Sequence, residues 1–249
     1  MPSPWFELLD EHARAALKPT ASELPDTAEV VVIGGGVAGL AAATMCRRAG
    51  IDDVVVLERG ERLAGETSNG PAGLLNPDMQ SHRLSPQFAE IARGSTARQL
   101  DLDREWGGEI GYYPVDLLVC GEEARGVEGN PHLTEHLDSL GVKGLDPQVA
   151  LAEPGVLLRG QWGLNPLRLC AALAAHAGQA FTGTAVMDWD EAGGRIVRLA
   201  TPRGAISPGT VIFATASVPG RWFGVSQDLV KGTTLGTEPA PIRLSVAVA

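Results

Sequence analysis

Apolar residues fall along this chain in two rhythms. Val30-Val31-Val32-Ile33, Val54-Val55-Val56-Leu57 and Val211-Ile212-Phe213-Ala214 are unbroken apolar runs, the pattern of short strands covered on both faces. Between the first two, small and apolar residues from Val37 onward predict a helix to about Ala49, with Gly50 as its stop. Strand, helix and strand in that order predict a parallel α/β unit. A second helix is expected after Asn165, a good N-cap, with Pro166 in the first helical position, a run to about Ala177 and Gly178 as the stop. The segment from Ala180 to Val186 reads as a strand. A hairpin follows, with arms 187–190 and 195–201 turning at Gly193-Gly194, and a buried strand then runs from Thr210 to Ser217.

Elsewhere the pattern is helical or mixed. Trp5 to Leu17 reads as one short amphipathic helix, followed by a loop holding Pro19 and Pro25. Pro86 to Trp106 predicts one or two one-sided helices stopped by Gly107-Gly108. The later half of 110–120 predicts a strand, with Pro114 towards its end or an edge. A helix is expected over 131–140 and a loop around Gly141 and Gly144.

The junction between the first strand and its helix carries the candidate chemistry. Gly34, Gly36 and Gly39 stand at the spacing G-x-G-x-x-G. The first suits the tight turn, the second lets the backbone approach a pyrophosphate, and the third allows close helix–strand packing. Free N–H groups at the new helix's positive end then receive phosphate charge. The second strand ends in Glu58, about twenty residues after Gly39, where an acidic side chain meets a pair of ribose hydroxyls. Together these features predict a dinucleotide site. The next segment, Arg59 to Pro77, is rich in turns and small residues, and Thr67, Ser68 and Asn69 offer hydrogen bonds to phosphate or ribityl oxygens.

From Val30 through Pro77 the chain resembles the glutathione-reductase-type FAD domain of the D-amino-acid oxidase, glycine oxidase and sarcosine oxidase superfamily. Glu58-Arg59 matches that family's strand end. Gly65-Glu66-Thr67-Ser68-Asn69-Gly70-Pro71-Ala72-Gly73 matches its loop along the diphosphate. The resemblance implies an α/β fold with a Rossmann-like FAD-binding domain, formed by 28–82 and 150–217, behind an extension of residues 1–27. An incomplete mixed-sheet substrate domain would comprise 83–149 and 218–249. It implies FAD contacts from Gly34, Gly36, Val37, Ala38, Gly39, Glu58 and Arg59, and from Thr67, Ser68, Asn69, Ala72 and Gly73 on the loop. It adds Val186 against the adenine, and Ala214 and Ala216 where the last strand returns. Family members usually carry glycine at the position of Ala216, a small departure if the backbone there is ordinary. Tyr112, Tyr113 and the loop Gln161-Trp162-Gly163 fall on the substrate side, and Lys231-Gly232 matches a strand that crosses above the flavin.

The implied activity is oxidation of an amine or amino acid, with hydride passing to the flavin, a chemistry in which the protein mainly positions substrate. Catalytic residues are not identified by the sequence. The family usually continues for roughly another hundred residues beyond the position of Ala249. The expected FAD domain is therefore nearly complete on its adenine side and incomplete around the flavin ring, and the substrate sheet is cut. Such an edge invites self-association or a partner chain. Two alternatives stay open: a non-catalytic FAD-binding subunit, and the oxidase domain of the enzymes that modify the tRNA wobble uridine, which the 68–75 and 160–162 segments resemble. A nicotinamide-only dehydrogenase would share Gly34 to Glu58 but would not need the 65–73 loop.

Composition narrows these readings. The 249 residues carry a formal charge of −10, which argues against a nucleic-acid partner. No run approaches the ~20 apolar residues of a membrane span, and the start lacks a signal-peptide pattern, so a cytoplasmic protein is expected. Cys46, Cys120 and Cys170 are far apart and read as buried free thiols. His12, His82, His132, His136 and His176 are scattered in solvated or capping positions, and no metal site is expected.

Overall fold

The computed structural model describes residues 3–19, 21–77, 85–121, 124, 127, 135–145, 153–216, 223–224 and 247–248. In chain order the elements are α1 (Pro4–Glu7), α2 (Glu11–Ala16), β1 (Thr27–Ile33), α3 (Val37–Arg48), β2 (Val54–Leu57), β3 (Leu74–Leu75), α4 (Pro86–Glu105) and β4 (Tyr113–Cys120). They continue with β5 (Glu135–Leu137), α5 (Ser139–Leu145), β6 (Gly155–Gly163), α6 (Pro166–His176) and β7 (Gln179–Phe181). The last are β8 (Asp188–Ala192), β9 (Arg195–Thr201), β10 (Gly204–Phe213) and β11 (Ala247–Val248). The architecture is mixed α/β. The chain divides into two compact units, residues 1–72 with 166–235, and residues 73–165 with 236–249. The sequence reading places its breaks after 82, 149 and 217 instead, and sets residues 1–27 apart from the first unit, which here includes them.

The first unit is a six-stranded sheet in the order β7-β2-β1-β10-β9-β8. Four strands, β7, β2, β1 and β10, run parallel, and their ends are level: Ile33 lies beside Leu57 and Phe213, and Leu57 beside Phe181. The apolar runs are buried throughout in β2 and over the last four residues of β1, because both faces are covered. Alternate residues such as Val31, Ile33, Val55 and Leu57 pack with Phe181, Leu199 and Ile206 on one face. The opposite face meets α3, which in turn packs against α6. Those two helices approach closely enough for the buried Thr44 hydroxyl to reach the carbonyls of Leu40 (2.8 Å) and Leu173 (2.9 Å).

Strand β10 is double-natured: it begins antiparallel to β9 and ends parallel to β1. The β8–β9 hairpin turns at Gly193-Gly194, both at positive φ (61° and 74°), as its sequence predicts. Strand β7 is shorter than expected. It stops at Phe181, because the chain turns at Gly183 (φ 60°) and the Thr184 N–H is taken by the Glu58 carbonyl at 2.7 Å. Val186 therefore lies beyond the strand. Likewise β10 ends at Phe213 rather than Ser217, and Ser217 is outside the described residues.

The expected single helix over 5–17 is two short ones. Asp10 breaks it by capping α2, its carboxylate accepting the Ala13 N–H at 2.8 Å. That carboxyl sits below its ordinary range, chiefly through this backbone hydrogen bond.

In the second unit β6 is central. It pairs antiparallel with β4 along one side and with β5 and β3 at opposite ends of the other, while β11 lies parallel to β4. The 86–106 segment is one helix, α4, whose N-cap Ser85 accepts from the Phe88 N–H. The helix expected over 131–140 is corrected: Glu135–Leu137 is strand β5, and the helix begins only at Ser139, carrying Gly141 and Gly144 within it. Asp138 makes that start, its carboxylate accepting the Leu140 and Gly141 N–H groups. Residues 131–134, 225–246 (with Lys231-Gly232), His82 and His132 lie outside the described residues.

Cys170 is buried in α6, and burial pushes its thiol pKa up to about 12. Cys46 and Cys120 are only half-buried, and all three are free. His12, His136 and His176 are exposed. Among the described residues no group of acidic, histidine and cysteine side chains is arranged to hold a metal ion, and no helix is long and apolar enough to cross a membrane.

Candidate functional site

The level ends of β1, β2 and β10 open into a cleft of about 230 Å³ in the first unit. One wall is the turn after β1. A Cβ on Gly34 (φ 113°) would stand 2.3 Å from the Ala214 carbonyl oxygen, and one on Gly39 would stand 1.8 Å from the Gly34 oxygen. Neither position admits a side chain unless backbone moves. Gly36 differs: its nearest neighbour is the Ser68 hydroxyl, 3.1 Å from an added Cβ. The space above Gly36 is therefore kept for something beside Ser68 rather than for backbone. Gly36 is also the N-cap of α3, and it brings no side chain to the helix's first amides.

Glu58 closes the floor. It is 9% exposed; one carboxylate oxygen accepts the Gly35 N–H at 2.7 Å and the other the Gly60 N–H at 2.6 Å. A carboxylate has about four acceptor positions, so each oxygen of this cleft-lining residue retains one. Gly35, outside the glycine motif, belongs to this arrangement. A Cβ there would meet Glu58 Cβ at 2.9 Å and the Leu63 side chain at 2.6 Å.

The other wall is the loop after Glu58. Ser68 Oγ accepts the Val37 N–H at 2.9 Å, seating a hydroxyl on the first amide of α3 while its own proton stays available for donation. Arg59 and Glu66 form a two-pronged pair, with Arg59 Nε donating to Glu66 Oε1 at 2.9 Å and Nη2 donating to Oε2. This hydrogen bonding holds the Glu66 carboxyl below its ordinary pKa and raises that of Arg59. At the end of β10, Ala216 has φ 50°, so the backbone is not ordinary where the family carries glycine. A methyl group there costs about 1–2 kcal/mol. Beside it the buried Thr215 hydroxyl has no hydrogen-bond partner among the described residues.

Of the residues expected at the site, Gly34, Gly36, Glu58, Arg59, Thr67, Ser68, Val186, Ala214 and Ala216 line the cleft. Val37 takes part through its N–H alone, Ala38 is exposed beside it, and Gly39 is buried behind the turn. Asn69 does not face the cleft: its side-chain oxygen accepts from Arg62 (3.0 Å) and its carbonyl from Ser3 (2.8 Å). Ala72 does not line the cleft, and Gly73 belongs to the second unit. Glu66, Thr184 and Thr215 were not singled out by the sequence reading, yet they line it. Only Glu66 had a signal, an acidic residue a loop's width from Arg59.

In the second unit the Tyr112 phenol donates to Gln99 at 2.7 Å. The half-exposed Tyr113 ring lies over Gly163, where an added Cβ would come within 2.2 Å of it. Gln161 is buried and donates to the Arg159 carbonyl. Tyr112 and Gln161 are thus engaged within their own unit.

A family model described as FAD-dependent oxidoreductase matches residues 29–247. The chain belongs to this family. Its members use FAD, and the cleft has the parts such a cofactor needs: an open helix start, residual acceptor capacity on Glu58 and a buried hydroxyl with no partner among the described residues. Among solved structures, glycine oxidase from Geobacillus kaustophilus is 22% identical with a TM-score of 0.69, matched over 81% of this chain and 60% of its own. L-amino acid deaminase from Proteus myxofaciens, in complex with anthranilate, is 21% identical with a TM-score of 0.67, over 80% of this chain and 47% of its own. L-α-glycerophosphate oxidase from Mycoplasma pneumoniae, with FAD bound, is 16% identical with a TM-score of 0.56, over 75% and 53%. The chain thus spans about half the length of these structures, whose likeness is one of fold. No curated protein matches the chain in sequence.

Proposed function

We propose that this cleft holds the adenosine and diphosphate of FAD, and that the chain serves the oxidation of an amine or amino acid. The observation that carries the reading is Ser68 Oγ resting on the Val37 N–H. It brings a hydroxyl, a helix N-terminus and the glycine turn to one point, the combination that receives phosphate oxygens. Glu58 would accept the ribose hydroxyls with its two remaining acceptor positions, the Val186 backbone would meet the adenine, and Thr215 would gain a partner. Arg59 and Glu66, joined as a neutral pair, line the rim. FAD, when bound, supplies the two-electron acceptor for a hydride leaving the carbon that bears the amine. The chain's own residues position and shield it; the amine class is favoured by the likeness to a glycine oxidase and an L-amino acid deaminase.

A visible spectrum after FAD addition and gel filtration tests the first part. A flavin band that stays with the protein is expected, and Ser68→Ala should weaken retention about tenfold, the effect of one charge-assisted hydrogen bond. A colourless protein would overturn the reading. Anaerobic bleaching of the bound flavin by a panel of amino acids and N-methyl amino acids tests the second part. A flavin that binds but is bleached by none of them would leave a flavin-holding protein without this chemistry.

A further inference from the structure

The segment from Ser3 to Leu17 precedes the family match, which begins at residue 29, yet it is built onto the cleft's loop wall. Leu9, Ala13 and Leu17 are buried, α1 and α2 both pack on α6, and Asp10 pairs with Arg168 at 3.3 Å. Anchored in this way, the segment reaches the loop at three places. The Ser3 hydroxyl donates to the Asn69 carbonyl (2.8 Å), Trp5 Nε1 donates to the Pro71 carbonyl (2.9 Å), and the Leu17 carbonyl accepts the Leu63 N–H (3.0 Å). A further tie runs through Arg62, which lies 4.8 Å over the Phe6 ring and donates to Asn69 Oδ1.

These ties alternate with others on the opposite side of the same loop. Ala64 N–H donates to the Gly35 carbonyl, and Ser68 Oγ takes the Val37 N–H. The loop is therefore sandwiched, its inner side on the glycine turn and its outer side on the N-terminal segment. We infer that residues 3–17 are a strap that positions the loop, and through it Ser68, for cofactor retention; the retention half of this inference rests on the proposed FAD site.

Ser3 and Trp5 are positioning residues, since neither lines the cleft. The test compares the parent protein with a Ser3→Ala, Trp5→Phe double variant, which removes both donors and keeps the indole's bulk in part. Hydrogen exchange of the apo proteins should show the Asn69 and Gly70 amides, which close the turn onto Glu66 and Thr67, exchanging about tenfold faster in the variant. Amides of α6 should keep their rates. The dissociation constant for FAD should rise about tenfold, two partly exposed hydrogen bonds' worth. Ser3→Thr, which keeps the hydroxyl, should bind as the parent does.

Unchanged exchange at Asn69 and Gly70 would overturn the strap. Faster exchange with FAD affinity within twofold of the parent would overturn its role in retention, as would a loss shared equally by α6, which marks general destabilisation. A parent protein that binds no FAD would instead remove the proposed site, and the exchange comparison would still decide whether the strap orders the loop.

Discussion

The turn from Ile33 to Gly39 and the loop from Gly65 to Ala72 face each other across the first unit's cleft, but different forces hold them. The turn is fixed chiefly by backbone against backbone, Gly34 against Ala214 and Gly39 against Gly34, with one buried side chain, the Glu58 carboxylate, bonded to the Gly35 amide. The loop is fixed by side chains reaching in from elsewhere, namely Arg59, Arg62, Ser3 and Trp5. Backbone contacts leave almost no choice of residue. Side-chain ties can be lost one at a time, each for a modest cost. One wall should therefore fail abruptly on mutation and the other gradually.

The sharpest way to break this contrast is Gly39→Ala. A Cβ 1.8 Å from the Gly34 oxygen forces the helix off the turn, and a loss near the upper end of overpacking, about 3 kcal/mol, is expected in chemical denaturation. Flavin retention should go with it. A variant as stable as the parent would show that the turn is softer than its contacts say.

Glu58→Gln comes next. It keeps the shape but turns an amide NH₂ towards a backbone N–H, leaving a buried donor unsatisfied at about 1–3 kcal/mol. Melting curves of this variant should lie between those of Gly39→Ala and the parent.

On the loop wall, Glu66→Gln should cost less than about 1 kcal/mol, because both partners of the Arg59 pair are half exposed. Its pH dependence identifies it. Because Arg59 holds the Glu66 carboxyl below its ordinary value of 4.5, the pair's contribution is present in full above that value and fades as pH falls through the lower folded-state pKa. Parent and variant should differ in melting temperature at pH 6 and converge in strong acid, and added salt should narrow the gap at pH 6.

The smallest effect is a gain. Ala216→Gly relieves a left-handed alanine worth about 1–2 kcal/mol and adds unfolded-state freedom worth about 0.4–1, so a net stabilisation of about half a kcal/mol is expected. A destabilised variant would mean that the methyl group packs usefully there.

The same contrast governs what the sequence made legible. The turn wall could be read because only glycine fits Gly34 and Gly39, and because β-branched runs announce strands buried on both faces. The loop wall was half legible. Ser68 and Arg59 stood in a recognisable pattern, whereas the turning of Asn69 away from the cleft depended on Ser3, 66 positions earlier, and on Arg62. Nothing local encodes such a partner. The Gly183 turn was missed because the apolar run before it continues smoothly into Thr184-Ala185-Val186, and the decisive bond comes from the Glu58 carbonyl. Thr215 gave no sign, since an unpartnered hydroxyl is a property of its surroundings. Two differences have local signals: Asp10 and Asp138 are both helix-capping residues, placed inside segments whose pattern predicts continuous helix.

The burial of Cys170 gives the molecule an internal clock. The nucleophile in alkylation is the thiolate, and a thiol with a pKa of about 12, 1% exposed in α6, offers almost none of it while the helix is in place. A thiol reagent added in excess to the folded protein can therefore mark Cys170 only in the moments when α6 lifts. Cys46 and Cys120, half-buried, supply the faster reactions against which that marking is timed. Because α6 is also the bed on which α1 and α2 lie, the rate of marking at this one sulfur reports the opening of the helix that carries them.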